Sequence, residues 1–510
     1  MSNPIAKSYD VIVVGGGNAA LVSALSAHLA GASVAIFEAA PEAEHGGNSR
    51  FSSGIFRIPH AGLSQVQTLL DESALDDVAH CRMAPYTADM YRGDIERTSK
   101  GHCDRAQVNV MLQHAFQTVQ WMATELGVKW QLPLGKFFSR EKILAAQGVV
   151  DMPPWDTIMA IGEGGGLMQA LWDAVGEREG IAVFHEAPVA DLIADGDTVR
   201  GVAVRLRDAT VGVYGQVILG CGGFEASARL RRQYLGEGWD LVALRGSRFN
   251  TGTLLEKAVS AGAGATGNFG GCHATPHDLN APKILNPSDA DKMSRYSFPY
   301  SVMINAEGRR FLDEGENVFS LTYAKTGAAI VKQPHATAFQ VFDQKTLHLL
   351  EPRYLTASPV QADTLEELAV RIGVDATAFA ATINEYNDAT PRDATERFNA
   401  FGLDGVSTGT SLVLPKSNWA LPIDKAPFVA YGVTCGITFT YGGLSVDAEA
   451  RVLNDECLVM PGLWAVGEIA GGFFAFNYPG GSGLTKGAVF GKIAGEAAAA
   501  RSRRDVSKGV

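Results

Sequence analysis

Apolar positions run along this chain in two rhythms. Residues 11–14 form an unbroken apolar run, the pattern of a buried strand, and Gly15-Gly16-Gly17 breaks it. Residues 21–30 follow with helical spacing. Gly31-Ala32 turns the chain into a second apolar run at 33–37, which ends at Glu38. Between 62 and 130 the spacing predicts helices, carried by Leu69, Leu70, Leu75 and Val78, then by Val108, Met111, Leu112, Ala115 and Val119. Pro153-Pro154-Trp155 and the glycines at 162–166 interrupt it, and a helix is expected over 167–175. Residues 181–220 alternate as short strands, with Asp195-Gly196-Asp197 as a hairpin turn. Residues 217–221 read as a buried strand that runs into Gly222-Gly223, and residues 254–263 as a short helix stopped at Gly262. From 271 to 425 proline and charge increase, with helical segments at 364–372 and 376–387. After 430 the glycine-rich character returns, before a last helix over 487–500. This predicts an α/β chain: a discontinuous Rossmann-like cofactor domain (1–270 and 426–510) with an inserted α+β substrate or capping domain (271–425).

The first fifty residues carry a specific chemistry. Gly15, Gly17 and Ala20 match the G-x-G-x-x-A form of the dinucleotide fingerprint, set between a strand and a helix. Gly15 permits the turn, and Gly17 lets a pyrophosphate approach the backbone at Asn18 and Ala19. The helix N-terminus then offers that anion unpaired N–H groups and a partial positive charge. Glu38 closes the second strand, where a carboxylate accepts from ribose hydroxyls. After it, His45-Gly46-Gly47-Asn48-Ser49-Arg50-Phe51-Ser52-Ser53-Gly54 reads as an irregular run of backbone and hydroxyl donors for a phosphate or ring.

Composition narrows the class. The 510 residues are 46% hydrophobic, enough for two or three domains with sizeable cores. A net charge of −12 disfavours a nucleic-acid partner. The six cysteines form no C-x-x-C pair, which argues against iron–sulfur or zinc ligation and fits a reducing compartment. No metal ligand set is expected. No long apolar run spans a membrane, and the first strand begins within ten residues of the start. The expectation is a cytoplasmic protein without a leader.

Several ordered motifs resemble one family. They are Gly46-Gly47-Asn48-Ser49-Arg50, the stretch from Asn305-Ala306-Glu307-Gly308-Arg309 to Glu314, Thr322-Tyr323-Ala324-Lys325, and Asn477-Tyr478-Pro479-Gly480-Gly481-Ser482-Gly483. Together they are similar to the flavoproteins that include fumarate reductases, succinate dehydrogenases and 3-ketosteroid dehydrogenases, with the tricarballylate dehydrogenase branch nearest. The resemblance covers nearly the whole chain and implies FAD at the first motif. It places Ser53, Gly54, Gly222 and Gly223 with the cofactor, Glu468 at the ribityl chain, and Ser482, Gly483 and Leu484 at the pyrimidine edge of the flavin. Where succinate dehydrogenases attach FAD through histidine, this chain has Asn48, so FAD is expected to be held non-covalently. His45 lies out of register as a loop residue.

The chain departs from the family at its charged substrate groups. The proton-donating arginine of fumarate reductases falls near Val318, a substrate histidine at Phe439 and a clamping arginine at Tyr478. Fumarate reduction by the usual route is therefore not expected. His273 does match a substrate-contacting histidine. Tyr478-Pro479-Gly480 keeps the ketosteroid dehydrogenase pattern, in which a tyrosine bonds the substrate carbonyl. For an anionic substrate, Arg295 and Lys325 are the expected cations, ahead of Arg309 and Arg310. The reaction implied is desaturation of a C–C bond next to a carbonyl or carboxylate. Tyr478 and His273 are the candidates to polarise the substrate, and Tyr323, Tyr441 and Lys325 the candidates for the base. The expected partners are a small carboxylate or ketone and an external electron acceptor, such as a membrane iron–sulfur protein. The other class of reading is a flavin-carrying electron-transfer or biosynthetic subunit without its own substrate.

Overall fold

A computed structural model describes residues 5–134, 136, 149–289, 291–400 and 402–508. The first four residues, on which the expectation of a leaderless start partly rests, lie outside the described residues. Among the described residues the larger sheet has eight strands. Ser8–Val14 is central, flanked in parallel by Val34–Phe37 and Thr210–Leu219, with Val14 opposite both Phe37 and Leu219. Ile181–Phe184 extends one side. Val459–Ala465 and Arg451–Leu453 extend the other, and the Val189–Asp195/Thr198–Arg205 hairpin branches from Thr210–Leu219. The C-terminal strand thus completes a sheet begun at residue 8.

The Asn18–Leu29 helix is buried over most of its surface and lies against the Ser482–Lys508 helix. Small residues make that approach feasible. A Cβ at Gly491 would stand 2.6 Å from the Ala19 carbonyl oxygen, and one at Gly495 would collide with that of Ser23. The alanine and glycine content of the last helix is therefore a packing requirement.

The second sheet is built on the long strand Phe428–Thr440. Cys272–Asp278, Ala338–Phe342 and Val360–Ala362 pair with it antiparallel and Ala243–Leu244 parallel, while Val302–Asn305 pairs with Ala338–Phe342. This sheet draws strands from both sides of residues 270 and 425. His273 faces Phe439 in register, and the pairing shifts just after it, between His273 and Ala274.

Some local expectations need correction. The 62–130 region is mixed: helices Ala88–Thr98 and Arg105–Leu126 are present, but Cys81–Met83 is a strand and Glu72–His80 is a 3₁₀ segment. Apolar spacing in short pieces does not separate these states. The glycine–serine run contains one helical turn, Gly47–Arg50. The helix expected from 167 spans Glu163–Gly176 and includes all three glycines. Packing requires two of them: a Cβ at Gly164 would stand 2.6 Å from the Ser52 carbonyl oxygen and one at Gly166 would collide with that of Ile161, whereas Gly165 faces open space.

Candidate active site

One cavity of about 720 Å³ runs from Glu38 past the glycine turn to Tyr478, between the two sheets. At its first end Gly15 has φ +109°, and a Cβ there would stand 2.5 Å from the Gly220 carbonyl oxygen. Only glycine suits both the conformation and the approach. At Gly17 the nearest protein atom to a Cβ would be Ser49 Oγ, 3.6 Å away, and the residue lines the cavity. Asn18 is pinned by its N–H to Ser49 Oγ (3.1 Å) and its Nδ2 to the Leu484 carbonyl (3.0 Å), which ties the two ends of the chain together. Its Oδ1 is buried without a partner among the described residues. Glu38 is buried at the strand end and accepts from the Ala40 N–H (2.7 Å); burial pushes its pKa up.

In the middle, Asn48 binds two carboxyl groups. Its Nδ2 donates to Glu225 Oε1 (2.7 Å), to the Thr438 carbonyl (2.8 Å) and to Glu468 Oε2 (3.2 Å), and its Oδ1 accepts from the Ser247 N–H (2.9 Å). Glu468 Oε1 also accepts from the Thr440 N–H (2.8 Å). Burial, then the charge of Glu468, pushes Glu225 well above the carboxylate range, and burial pushes Glu468 up as well.

At the far end stands an aromatic box. The His273 ring lies 4.9 Å from those of Phe439 and Tyr323 and 5.1 Å from Tyr478, and Phe474 closes on Tyr478 at 5.0 Å. His273 is neutral: burial, then Arg245, drives its pKa well below 6.5. Tyr478 is 6% exposed, and its phenolic oxygen accepts the Gly483 N–H at 2.9 Å, so its own proton remains free to donate. Tyr441 lines the cavity with a buried hydroxyl that has no partner among the described residues.

Residues 10–484 match a family profile described as the FAD binding domain. The chain belongs to that family. It is 27% identical to NADH:fumarate oxidoreductase of Klebsiella pneumoniae (strain 342) across 98% of this chain, yet it spans only 48% of that protein. It is 26% identical to 4-oxocyclohexanecarboxylate 2-dehydrogenase of Sinomonas cyclohexanicum, across 96% of this chain and 94% of that one. In fold it is similar to 3-ketosteroid delta1-dehydrogenase from Sterolibacterium denitrificans, with TM-score 0.71, 21% identity, and coverage of 97% and 100% of the two chains.

The cavity fits FAD. The helix N-terminus and open Gly17 backbone suit a pyrophosphate, Glu38 suits a ribose, and the N-terminus of the Ser482–Lys508 helix suits the electron-rich edge of a flavin. Of the residues expected to hold it, Gly15, Gly17, Asn18, Ala19, Glu38, Gly47, Asn48, Ser49, Ser53, Gly222, Gly223, Glu468, Gly483 and Leu484 line the cavity. Three others lie behind its wall. Gly46 starts the Gly47–Arg50 turn at φ +111°, Gly54 packs under the Glu163 backbone, and Ser482 accepts from the Tyr91 hydroxyl at 2.8 Å.

The two expected cations are misplaced. Arg295 is fully buried away from the cavity, its Nε and Nη2 bound to Asp278 at 3.1 and 2.8 Å; it is a structural ion pair. Lys325 points outward to the exposed Glu316, so it serves neither as base nor as anion clamp. Arg245 and Arg353 line the cavity instead, gathered on Asp291 with Lys136 and Ser53. Asp156, Tyr296 and Ser320 also line it. Nothing in the local sequence marks the ion cluster, because Arg245 and Arg353 stand 46 and 62 residues from Asp291.

Proposed function

We propose that the chain is an FAD-dependent oxidoreductase that desaturates the C–C bond next to the carbonyl of a cyclic ketone bearing a carboxylate. The observation that carries this reading is Tyr478: its oxygen is engaged by a backbone N–H, and its proton is free for a substrate oxygen. Burial pushes its pKa up to about 12, so it is a neutral donor, suited to a ketone. The aromatic rings that meet it edge to face offer apolar walls for a ring. Arg245 and Arg353 supply positive charge for one carboxylate, and Asp291 and Glu351, the latter paired with Arg353, offset part of it. A tricarboxylate would need more cations than this end of the cavity offers. The full-length similarity to an oxocyclohexanecarboxylate dehydrogenase supports the same substrate class.

Bound FAD supplies the acceptor for the hydride that leaves the β-carbon. Tyr478 holds the carbonyl oxygen and stabilises the enolate-like charge as the α-proton departs. The aromatic rings exclude water and orient the substrate ring. An external acceptor reoxidises the protein.

Anaerobic mixing tests this reading. 4-Oxocyclohexanecarboxylate is expected to bleach the oxidised-flavin band, and propane-1,2,3-tricarboxylate to leave it unchanged. Bleaching by the tricarboxylate alone would overturn the ketone reading. Reduction by a protein donor, with no small molecule effective, would favour an electron-transfer subunit.

The attachment of FAD has a separate test. Asn48 is an amide bound to two carboxyl groups, without a nucleophile to bond the flavin. Acid precipitation is expected to leave a colourless pellet and all FAD in the supernatant. Colour retained by the washed pellet would show a covalent bond.

A further inference from the structure

The base that removes the α-proton is absent from the aromatic box. Tyr323, Tyr441 and Tyr478 are all pushed up by burial and hold their protons, while His273 is a weakened base. Glu38 lies at the opposite end of the cavity, and Glu468 is engaged by Asn48 and the Thr440 N–H.

A second, smaller chamber of about 90 Å³ adjoins the main cavity. It is mostly apolar, with Leu134, Met152, Trp155 and Trp419 in its walls. Asp156, Tyr296, Phe319 and Ser320 line both spaces and so form the partition between them. Two of the four carry buried polar atoms with no partner among the described residues: Asp156 Oδ2 and Ser320 Oγ. Both residues are 3% exposed. An unpartnered buried carboxylate oxygen is costly, so its retention on a cavity wall points to a ligand or reaction that uses it.

Resting on the ketone reading, we propose that Asp156 is the catalytic base that accepts the substrate α-proton. The α C–H bond breaks and its proton goes to Asp156 Oδ2. Its electron pair enters the C–C bond that becomes double, as the β-hydrogen leaves as hydride to FAD. The substrate loses two electrons and two hydrogens, and the flavin gains the two electrons with the hydride. Ser320 Oγ, likewise unpartnered among the described residues, stands in the same partition.

Burial pushes the pKa of Asp156 up to about 6, and Arg57 pulls against that rise. Tyr296 and Ser320 face the same partition, and Asp151 and Glu351 line the second chamber. The base works only when ionised, so the rate of flavin reduction rises with pH through about 6 and then levels.

The test uses the FAD-loaded protein and 4-oxocyclohexanecarboxylate, with anaerobic flavin bleaching and α-hydrogen exchange in D₂O followed by NMR. Asp156→Asn is expected to retain FAD, to slow bleaching at least about 10²-fold, to suppress exchange and to lose the acid limb of the pH profile. Asp156→Glu is expected to recover part of the rate and the limb. A rate within a few-fold of wild type for Asp156→Asn, or an unchanged acid limb, would overturn the assignment. If Asp156→Asn does not fold, the wild-type profile decides, because a rate independent of pH around 6 would equally remove Asp156. Should the wild type bleach only with an acid that has no ketone, the ketone reading falls. The same variants compared on that acid then still decide Asp156.

Discussion

Replacing Tyr478 with phenylalanine slows flavin reduction by 4-oxocyclohexanecarboxylate by about 10²- to 10³-fold while FAD stays bound. The expectation follows from one hydroxyl. The Gly483 N–H, at the start of the last long helix, donates to the phenolic oxygen. That bond fixes the direction of the tyrosine proton and makes it a better donor. Arg57 and the Gly483 bond lower the pKa, but burial outweighs them and raises it to about 12. The group therefore donates throughout the physiological range. Phenylalanine keeps the ring contacts with His273, Phe439 and Phe474, so binding of a flat substrate changes little. The loss falls on the step in which charge develops on the carbonyl oxygen, and it is read as kcat falling with KM nearly constant. Rates equal to wild type would remove the hydroxyl from the mechanism.

Replacing Asp291 with alanine lowers stability by about 3–5 kcal/mol, the cost of leaving buried positive charge without its partner. Asp291 is 2% exposed and receives Arg245, Arg353 and Lys136, the last at 3.6 Å. Burial acts to raise its pKa. Arg353, Arg245 and Lys136 outweigh burial and hold it well below 3.8. A depressed folded-state value means this stabilisation is present above the unfolded value of about 3.9 and is lost as pH falls through the folded one. Thermal unfolding followed between neutral pH and pH ~3 checks both parts. The variant is expected to unfold at lower temperature near neutrality, and the gap to wild type is expected to narrow in acid. A variant as stable as wild type would show that solvent or ligand already compensates these arginines.

The two effects separate the roles at one site. In the proposed reaction Tyr478 acts on the substrate oxygen, whereas Asp291 holds the cations that line the same cavity. Loss of Arg245 or Arg353 from position would weaken binding of a keto acid more than that of a neutral ketone, since only the first carries the charge they face.

The sequence by itself determined the cofactor end. Gly15, Gly17, Asn18 and Glu38 lie within one strand–turn–helix–strand unit, where local spacing fixes geometry. The place of Tyr478, Gly480, Gly481 and Gly483 on one cavity was legible for a similar reason: they share one short continuous motif. Tertiary structure alone decided the substrate end. Arg295 and Lys325 looked like suitable cations in sequence, but strand pairing sends the first to Asp278 and the helix Tyr323–Val331 turns the second outward. Arg245 follows the Ala243–Leu244 strand that pairs with Phe428–Thr440, Asp291 comes from a connecting segment, Arg353 from the Pro352–Thr356 turn, and Asp156 from a proline-rich loop. Side chains meeting over such separations leave no periodicity or motif, since only the completed packing sets which of many equally polar residues face the cavity.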